Sequence, residues 1–452
     1  MKLSRRDFLI LSGAGAVGLT LVQLFPGLRR ASAEAETLEP VLGKEIRTYA
    51  DSMGFSAEAV AGRVERVYLA DNFDHRFTAI IDRDTSMPLL VTNENHEWQP
   101  AYLKEIGRHG GIQVGQLVES QIDLRILHSD FNKGLLSSSW NGNFNTDYSY
   151  NPDADEAGYR FGHIAGIEDY RFMHLIYPHS RNLPDWLRDG ISAGTMSAGE
   201  IQTVIENYVT AVMTRFKGRI KEYVVVNEAY RNQEQDELLR TGLPDYIEVA
   251  FRAARRADPG AELVLNDFDN HTKAGQHTRT DVDIARRLSD QGLLDKVGLQ
   301  MHIYKPIREF DYDTQDISDT IRRYRDMGLS VAITELDVRM KDYMAEEYRQ
   351  ARTDTERREV ELVRFHKQAE VYRTLIGAAL SAGVTDIGFW GDQDHTSWLN
   401  NPEYMGDDVS PLSQPCMWDE NGQPKPAYYA VRKVLFAHVA TDITKRTGAQ
   451  RR

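Results

Sequence analysis

Two glutamates, each closing a short apolar run, are the residues here whose type and setting best suit chemistry. Glu228 follows Val225-Val226-Asn227, and Glu335 lies in Val331-Ala332-Ile333-Thr334-Glu335-Leu336-Asp337. Two carboxyl groups on opposite walls of one cleft suit cleavage of a glycosidic bond. One protonates the leaving oxygen, and the other attacks the anomeric carbon or activates water for that attack. A separation of about 5 Å gives retention and one of about 6.5–9.5 Å gives inversion, a choice that chain position leaves open. Taken singly, either Glu is equally a solvated carboxylate at a strand end. The weight comes from the company the two keep. Other apolar runs end in His174 and His179, in Asn266-Asp267, in Gln300 and His302, and in Trp390, with Asp394 and Trp398 beyond. His174, His179 and His302 with nearby acids would also suit a metal. No two of them hold a close ligand spacing such as His-x-x-x-His on one helix, so neither a metal nor another cofactor is expected. A serine hydrolase would want a Gly-x-Ser-x-Gly elbow, and the sequence has none.

These residues demand a scaffold that brings many strand ends to one mouth. Short apolar runs at 112–118, 135–136, 172–176, 223–226, 263–265, 297–301, 331–334 and 387–390 alternate with helical patterns at 201–216, 246–257, 281–291, 317–327 and 356–381. The apolar residues of the helical stretches recur every three or four positions. Eight strands alternating with helices predict an α/β fold, a (β/α)8 TIM barrel, whose site is built at the C-terminal ends of the strands. A doubly wound open sheet would want an early glycine-rich phosphate turn, which is missing. Residues 34–102 have a different texture, with alternation at 64–69 and short apolar runs at 77–81 and 89–91. They predict a small β-rich N-terminal extension, a decoration of the barrel at 103–440, with 441–452 as a C-terminal tail.

Over 103–435 the motifs resemble glycoside hydrolase family 10, the endo-1,4-β-xylanases. Gly328-Leu329-Ser330-Val331-Ala332-Ile333-Thr334-Glu335-Leu336-Asp337-Val338 is similar to the family's nucleophile signature, and Val225-Val226-Asn227-Glu228-Ala229 to its acid/base strand. Gln300-Met301-His302, Phe389-Trp390-Gly391 with Ser397-Trp398, and Leu183-Pro184-Asp185-Trp186 after His174 and His179 extend the resemblance. It implies a retaining endo-acting enzyme with Glu335 as nucleophile and Glu228 as acid/base. Asp337 would hold His302, which would hold Glu335. Asn227 would bond the sugar 2-hydroxyl, and His174, His179, Gln300, Trp390, Trp398 and Trp140 would line the substrate site. The chain also departs from the pattern. Ser139 stands where the family has a Lys before Trp140, Pro178 where it has a Trp before His179, and Tyr223-Val224 where it has Trp-Asp. The catalytic pair and its supports are kept, while contacts to the upstream sugars are altered. A barrel glycosidase for another β-glycan or an oligosaccharide, or a non-catalytic carbohydrate binder, therefore stays open.

The ends and the charge complete the expectation. Ser4-Arg5-Arg6-Asp7-Phe8-Leu9, an apolar stretch to about Leu24 and Ala31-Ser32-Ala33 resemble a twin-arginine export signal over 1–33. A membrane anchor is the alternative, but Gly13, Gly15 and Gly18 interrupt a short run, so no stable membrane insertion is expected once the signal is gone. The signal carries Lys2, Arg5, Arg6, Arg29 and Arg30 against Asp7, and its loss would leave a chain more acidic than the formal −14. Such a charge excludes a nucleic-acid partner and fits a neutral polysaccharide or oligosaccharide. One cysteine, Cys416, allows no intrachain disulfide.

Overall fold

The computed structural model describes residues 29–31, 39–68, 78–92, 98–119, 122–229, 237–303 and 313–449. Five antiparallel strands come first: β1 (Arg29–Ala31), β2 (Val64–Tyr68), β3 (Thr78–Asp82), β4 (Met87–Thr92) and β5 (Trp98–Pro100). The expected β-rich extension is present, but it also contains a helix, Glu39–Met53, that was not expected. Its apolar residues Leu42, Ile46, Tyr49 and Ala50 are buried at helical spacing. Of the segment 1–33, the twin arginine and the apolar stretch lie outside the described residues. Arg29–Ala31 alone is described, paired with β2. Among the described residues no helix is long and apolar enough to cross a membrane.

The barrel follows. Its parallel strands are β6 (Gln113–Leu117), β7 (Lys133–Ser137), β8 (Asp169–Met173), β9 (Glu222–Asn227), β10 (Glu262–Asp267), β11 (Lys296–Leu299), β12 (His302–Ile303), β13 (Ser330–Val338) and β14 (Asp386–Phe389). β11 and β12 are two halves of the sixth strand, and the β11–β13 and β14–β6 pairings close the ring. All eight expected strands are therefore found. The helices between them form where an apolar stripe meets a good start signal. Helix Ala198–Phe216 opens on a Ser197/Glu200 capping box and buries Ile201, Val204, Ile205, Tyr208, Val209 and Val212. Helix Asp354–Ser381 opens on the equivalent Thr353/Glu356 box. The last helix, Pro426–Ala449, runs through the expected barrel boundary at 440 into the expected tail. It ties the extension to the barrel. Arg432, 1% exposed, donates to the Leu89 carbonyl (2.7 Å) and to Glu45 (3.2 Å), and Tyr429 packs on Tyr49.

Inside the ring the side chains form layers. At the N-terminal ends of the strands lies a buried ionic layer. Asp386 accepts from Lys133 (2.9 Å), Arg171 (2.6 Å) and Lys296 (3.0 Å), and Glu222 pairs with the same three cations. Burial alone would raise both acids, but the three cations hold them below the ordinary carboxylate range. Above this layer sits an apolar plug of Leu135, Met173, Val224 and Val264, against which Trp390 packs. Val224 stands in this plug, which explains why an apolar residue is tolerated at that position. Gly298 and Gly388 complete the layer because nothing larger fits. A Cβ on Gly298 would come within 2.2 Å of the Asn266 side chain, and one on Gly388 within 2.6 Å of the Thr334 carbonyl.

Asp386→Leu would leave three buried cations with one of their two shared acids. It is expected to cost about 3–5 kcal/mol of stability at neutral pH, measured by chemical denaturation; an unchanged midpoint would show that the layer is not held by charge. Because Asp386 and Glu222 are depressed, their stabilisation is present above the ordinary carboxylate range and is lost as pH falls through their lowered values.

Candidate active site

The third layer is the mouth, and two irregularities aim the glutamates into it. β9 and β10 shift register after Val224 and Val264, so Val225 is an extra residue on β9 just before Asn227 and Glu228. β13 and β14 shift register between Ile333 and Leu336, around Thr334 and Glu335. An extra residue in one strand re-aims the side chains that follow it. Glu228 then turns off its strand at φ +50°, in the left-handed region, with its N–H held by the Asn266 carbonyl (2.8 Å). A non-glycine residue there costs of order 1–3 kcal/mol and persists because the surroundings fix it. The sixth strand breaks at Gln300-Met301, with Met301 at φ +57°. When the strand resumes, His302 stands in register with Asp337.

Glu335 is 3% exposed and has donors on several sides. Asn266 Nδ2 reaches its Oε1 at 2.7 Å and His302 Nε2 reaches its Oε2 at 3.1 Å, while His174 Nε2 stands 3.8 Å from Oε1. His302 is fixed from behind by Asp337 Oδ2 (2.9 Å), which also accepts from Trp398 Nε1 (2.8 Å). Burial would raise the Glu335 carboxyl. The two imidazoles, His174 close by and His302 bonded to it, outweigh burial and bring it to about 2. Burial would likewise lower His302, but Asp337 and Glu335 together raise it to about 10. At neutral pH the unit is thus an imidazolium held between two carboxylates.

The second glutamate is linked to the first by a chain of amides. Gln300 Nε2 donates to Glu228 Oε1 (3.2 Å) and to Asn227 Oδ1 (3.1 Å). Asn266 Nδ2 spans Asn227 Oδ1 (2.7 Å) and Glu335. Both bonds to Asn227 are accepted by its side-chain carbonyl oxygen. Trp390, half-buried, closes the floor beside His174 and His302, at ring distances of 6.3 and 6.4 Å. Trp398 stands edge-on to His302 at 5.0 Å.

Glu228, Glu335, Asn227, His302, Asp337, Gln300, His174, Trp390 and Trp398 are therefore brought to one mouth. One expected substrate contact is turned away from it. Trp140 is 2% exposed and stacks on Tyr208 at 5.2 Å, because the short helix Trp140–Asn143 turns its indole down onto helix Ala198–Phe216. It is a packing residue. His179 is buried, and its Nδ1 caps the turn Ser180–Asn182 by accepting from the Arg181 N–H. Two residues were missed. Asn266 was noticed at a strand end, but nothing in the sequence showed that it bridges Asn227 and Glu335. Tyr177 packs its ring on both His174 and His179, and no sequence signal marked it.

Comparison with known proteins places this geometry. The model of glycosyl hydrolase family 10 matches residues 165–434. Endo-1,4-beta-xylanase B of Thermotoga neapolitana is 30% identical over 267 residues, covering 58% of this chain and 68% of the relative. Endo-1,4-beta-xylanase A of the same organism is 28% identical over 266 residues, yet this chain spans only 23% of that longer protein. The solved xylanase 10B from Thermotoga petrophila RKU-1, in complex with xylobiose, is 25% identical with a TM-score of 0.62, covering 75% of this chain and 99% of the other.

The ionisation of Glu335 is testable without any substrate. In His302→Phe its protonation midpoint should climb from about 2 toward the ordinary carboxylate value, followed by pH-difference infrared spectroscopy of the carboxyl. A midpoint that stays near 2 would remove His302 as the cause.

Proposed function

The chain belongs to glycosyl hydrolase family 10, and from that membership we propose that it is a retaining glycosidase that hydrolyses xylan or a xylan-like β-1,4-linked polysaccharide by double displacement. The observation that carries this is the buried, ionised Glu335 with Glu228 joined to it through Gln300, Asn227 and Asn266. In the first step a Glu335 oxygen attacks the anomeric carbon. The bond from that carbon to the glycosidic oxygen breaks, and Glu228 gives its proton to the departing oxygen. In the second step Glu228 takes a proton from water, whose oxygen attacks the same carbon. The glycosyl–Glu335 ester breaks, Glu335 leaves as carboxylate, and Glu228 is an acid again. The hydrogen bonds that keep Glu335 ionised also make it a good leaving group in this second step. The Asn227 amide is placed for the sugar 2-hydroxyl, and Trp390 for the ring face.

The sugar is supported by the relatives, which are named as xylanases, one of them solved with xylobiose. A second reading, a barrel glycosidase for another β-glycan or oligosaccharide, is favoured by the exposed Ser139 and buried Pro178 at the cleft. A non-catalytic binder would have no use for the Glu335–His302–Asp337 unit. For localisation we propose export, supported by Arg5-Arg6 and the small-residue site Ala31-Ser32-Ala33.

Assays of new reducing ends on xylan and mixed β-glucans separate these readings. Glu335→Ala should release none. Glu228→Ala should lose roughly 10²–10⁴-fold on xylan but keep its first step on an aryl xylobioside whose leaving group needs no proton. Preference for a glucoside series would overturn xylan, and turnover by Glu335→Ala would overturn the assignment of the nucleophile. Replacing Arg5 and Arg6 together by Lys should retain the chain in the cytoplasm of an expressing bacterium. Unchanged export, followed by cell fractionation, would exclude the twin-arginine route.

A further inference from the structure

We infer that Arg181 and Tyr404 close the non-reducing end of the cleft, so that the chain cuts its polysaccharide a short, fixed way from that end rather than at random along its length. This rests on the glycosidase reading above and specifies how its substrate is held.

The direction of the cleft follows from the roles of the two glutamates. The sugar under attack must lie on Glu335, between His174 and Trp390. The leaving group must lie on the Glu228 side, over β9. The non-reducing part of the chain therefore runs the other way, across the half of the mouth formed by the ends of β8, β7, β6 and β14, which are consecutive in the ring. In an open groove nothing would cross that half.

Here a contact does cross it. The Arg181 guanidinium lies over the Tyr404 ring, 5.7 Å from its centre. Arg181 belongs to the loop after β8 and Tyr404 to the loop after β14, so the pair spans the ends of β7 and β6 between them. Both halves are anchored. Asn141 Nδ2, from the loop after β7, donates to the Arg181 carbonyl (3.2 Å), and the Arg181 N–H is held by His179. The Tyr404 loop is fixed at one end by the Trp398–Asp337 bond (2.8 Å). At the other end Asp408 pairs with Arg339 (2.6 Å) and with Lys341.

The pair has the chemistry of a sugar-end contact. Arg181 is exposed and, among the described residues, pairs with no carboxylate, so its fork of donors is available to terminal hydroxyls. Tyr404 is 56% exposed and offers a ring face. The exposed Ser139 side chain is small and takes little of the room that a long cation would fill there. A polysaccharide running past this contact would collide with it.

The test compares the full chain with Arg181→Ala, Tyr404→Ala and the double variant, none of which touches the catalytic unit. Viscosity and reducing ends are followed together on soluble xylan, and reducing-end-labelled xylohexaose is analysed for product length. The wild type should release reducing ends with little loss of viscosity and give one short unlabelled product. The double variant should lose severalfold more viscosity per end released and give mixed products. A wild type that thins xylan as steeply as the double variant overturns the inference while leaving the glycosidase reading in place. No turnover of the aryl xylobioside by the wild type overturns that reading and this inference with it.

Discussion

A carboxylate that is almost fully buried and yet ionised constrains everything around it. Taking Glu335 out of water favours its neutral form, and only donors placed within hydrogen-bond reach reverse that preference. Those donors cannot come from one segment. Asn266 closes β10 and His302 opens β12, so the site exists only when the ring is closed and in register. Asp337 extends the constraint one step outward. By holding both His302 and Trp398 it sets the charge of the imidazole and the position of one wall.

The barrel answers this demand by layering. Charge is confined to the bottom and the mouth, and an apolar plug separates them. Each charged layer pairs its ions with partners of opposite sign, as a medium of low dielectric demands. Glycines at 298 and 388 let the strands' side chains meet across the axis without voids or clashes. The N-terminal sheet and its helix share the main core through Tyr49, Tyr429 and Arg432. The extension is thus part of the barrel's packing, which goes beyond the expected role of decoration.

The mouth combines a strict centre with an altered rim. At the centre Glu335, His302 and Asp337 hold one another through direct hydrogen bonds. At the rim, Ser139 and Pro178 replace larger side chains, and Arg181 and Tyr404 meet across the opening. A substrate would meet unchanged chemistry at the bond to be broken and a different shape one or two sugars away. On the proposed reading, reaction type and chain-length preference belong to separate groups of residues.

The amino-acid pattern alone determined the barrel and its eight strands and singled out Glu228 and Glu335 at two of their ends. Parallel strands buried on both faces must be continuous apolar runs, and a polar residue at the end of such a run stands out. Gln300-His302 and Glu335-Asp337 were legible for that reason. Tertiary structure alone decided what those ends touch. The register shifts at Val225 and around Thr334 break the two-residue alternation without any compositional mark, yet they aim both glutamates inward. Trp140 has the composition of a sugar platform, and only the packing of Tyr208 beneath it makes it core. Helix Glu39–Met53 has the right periodicity, but its burial depends on a partner helix almost four hundred residues later. Sequence carries the periodicity of each element, because that is a local property. Contacts between elements depend on closure of the whole ring, and only the folded chain supplies it.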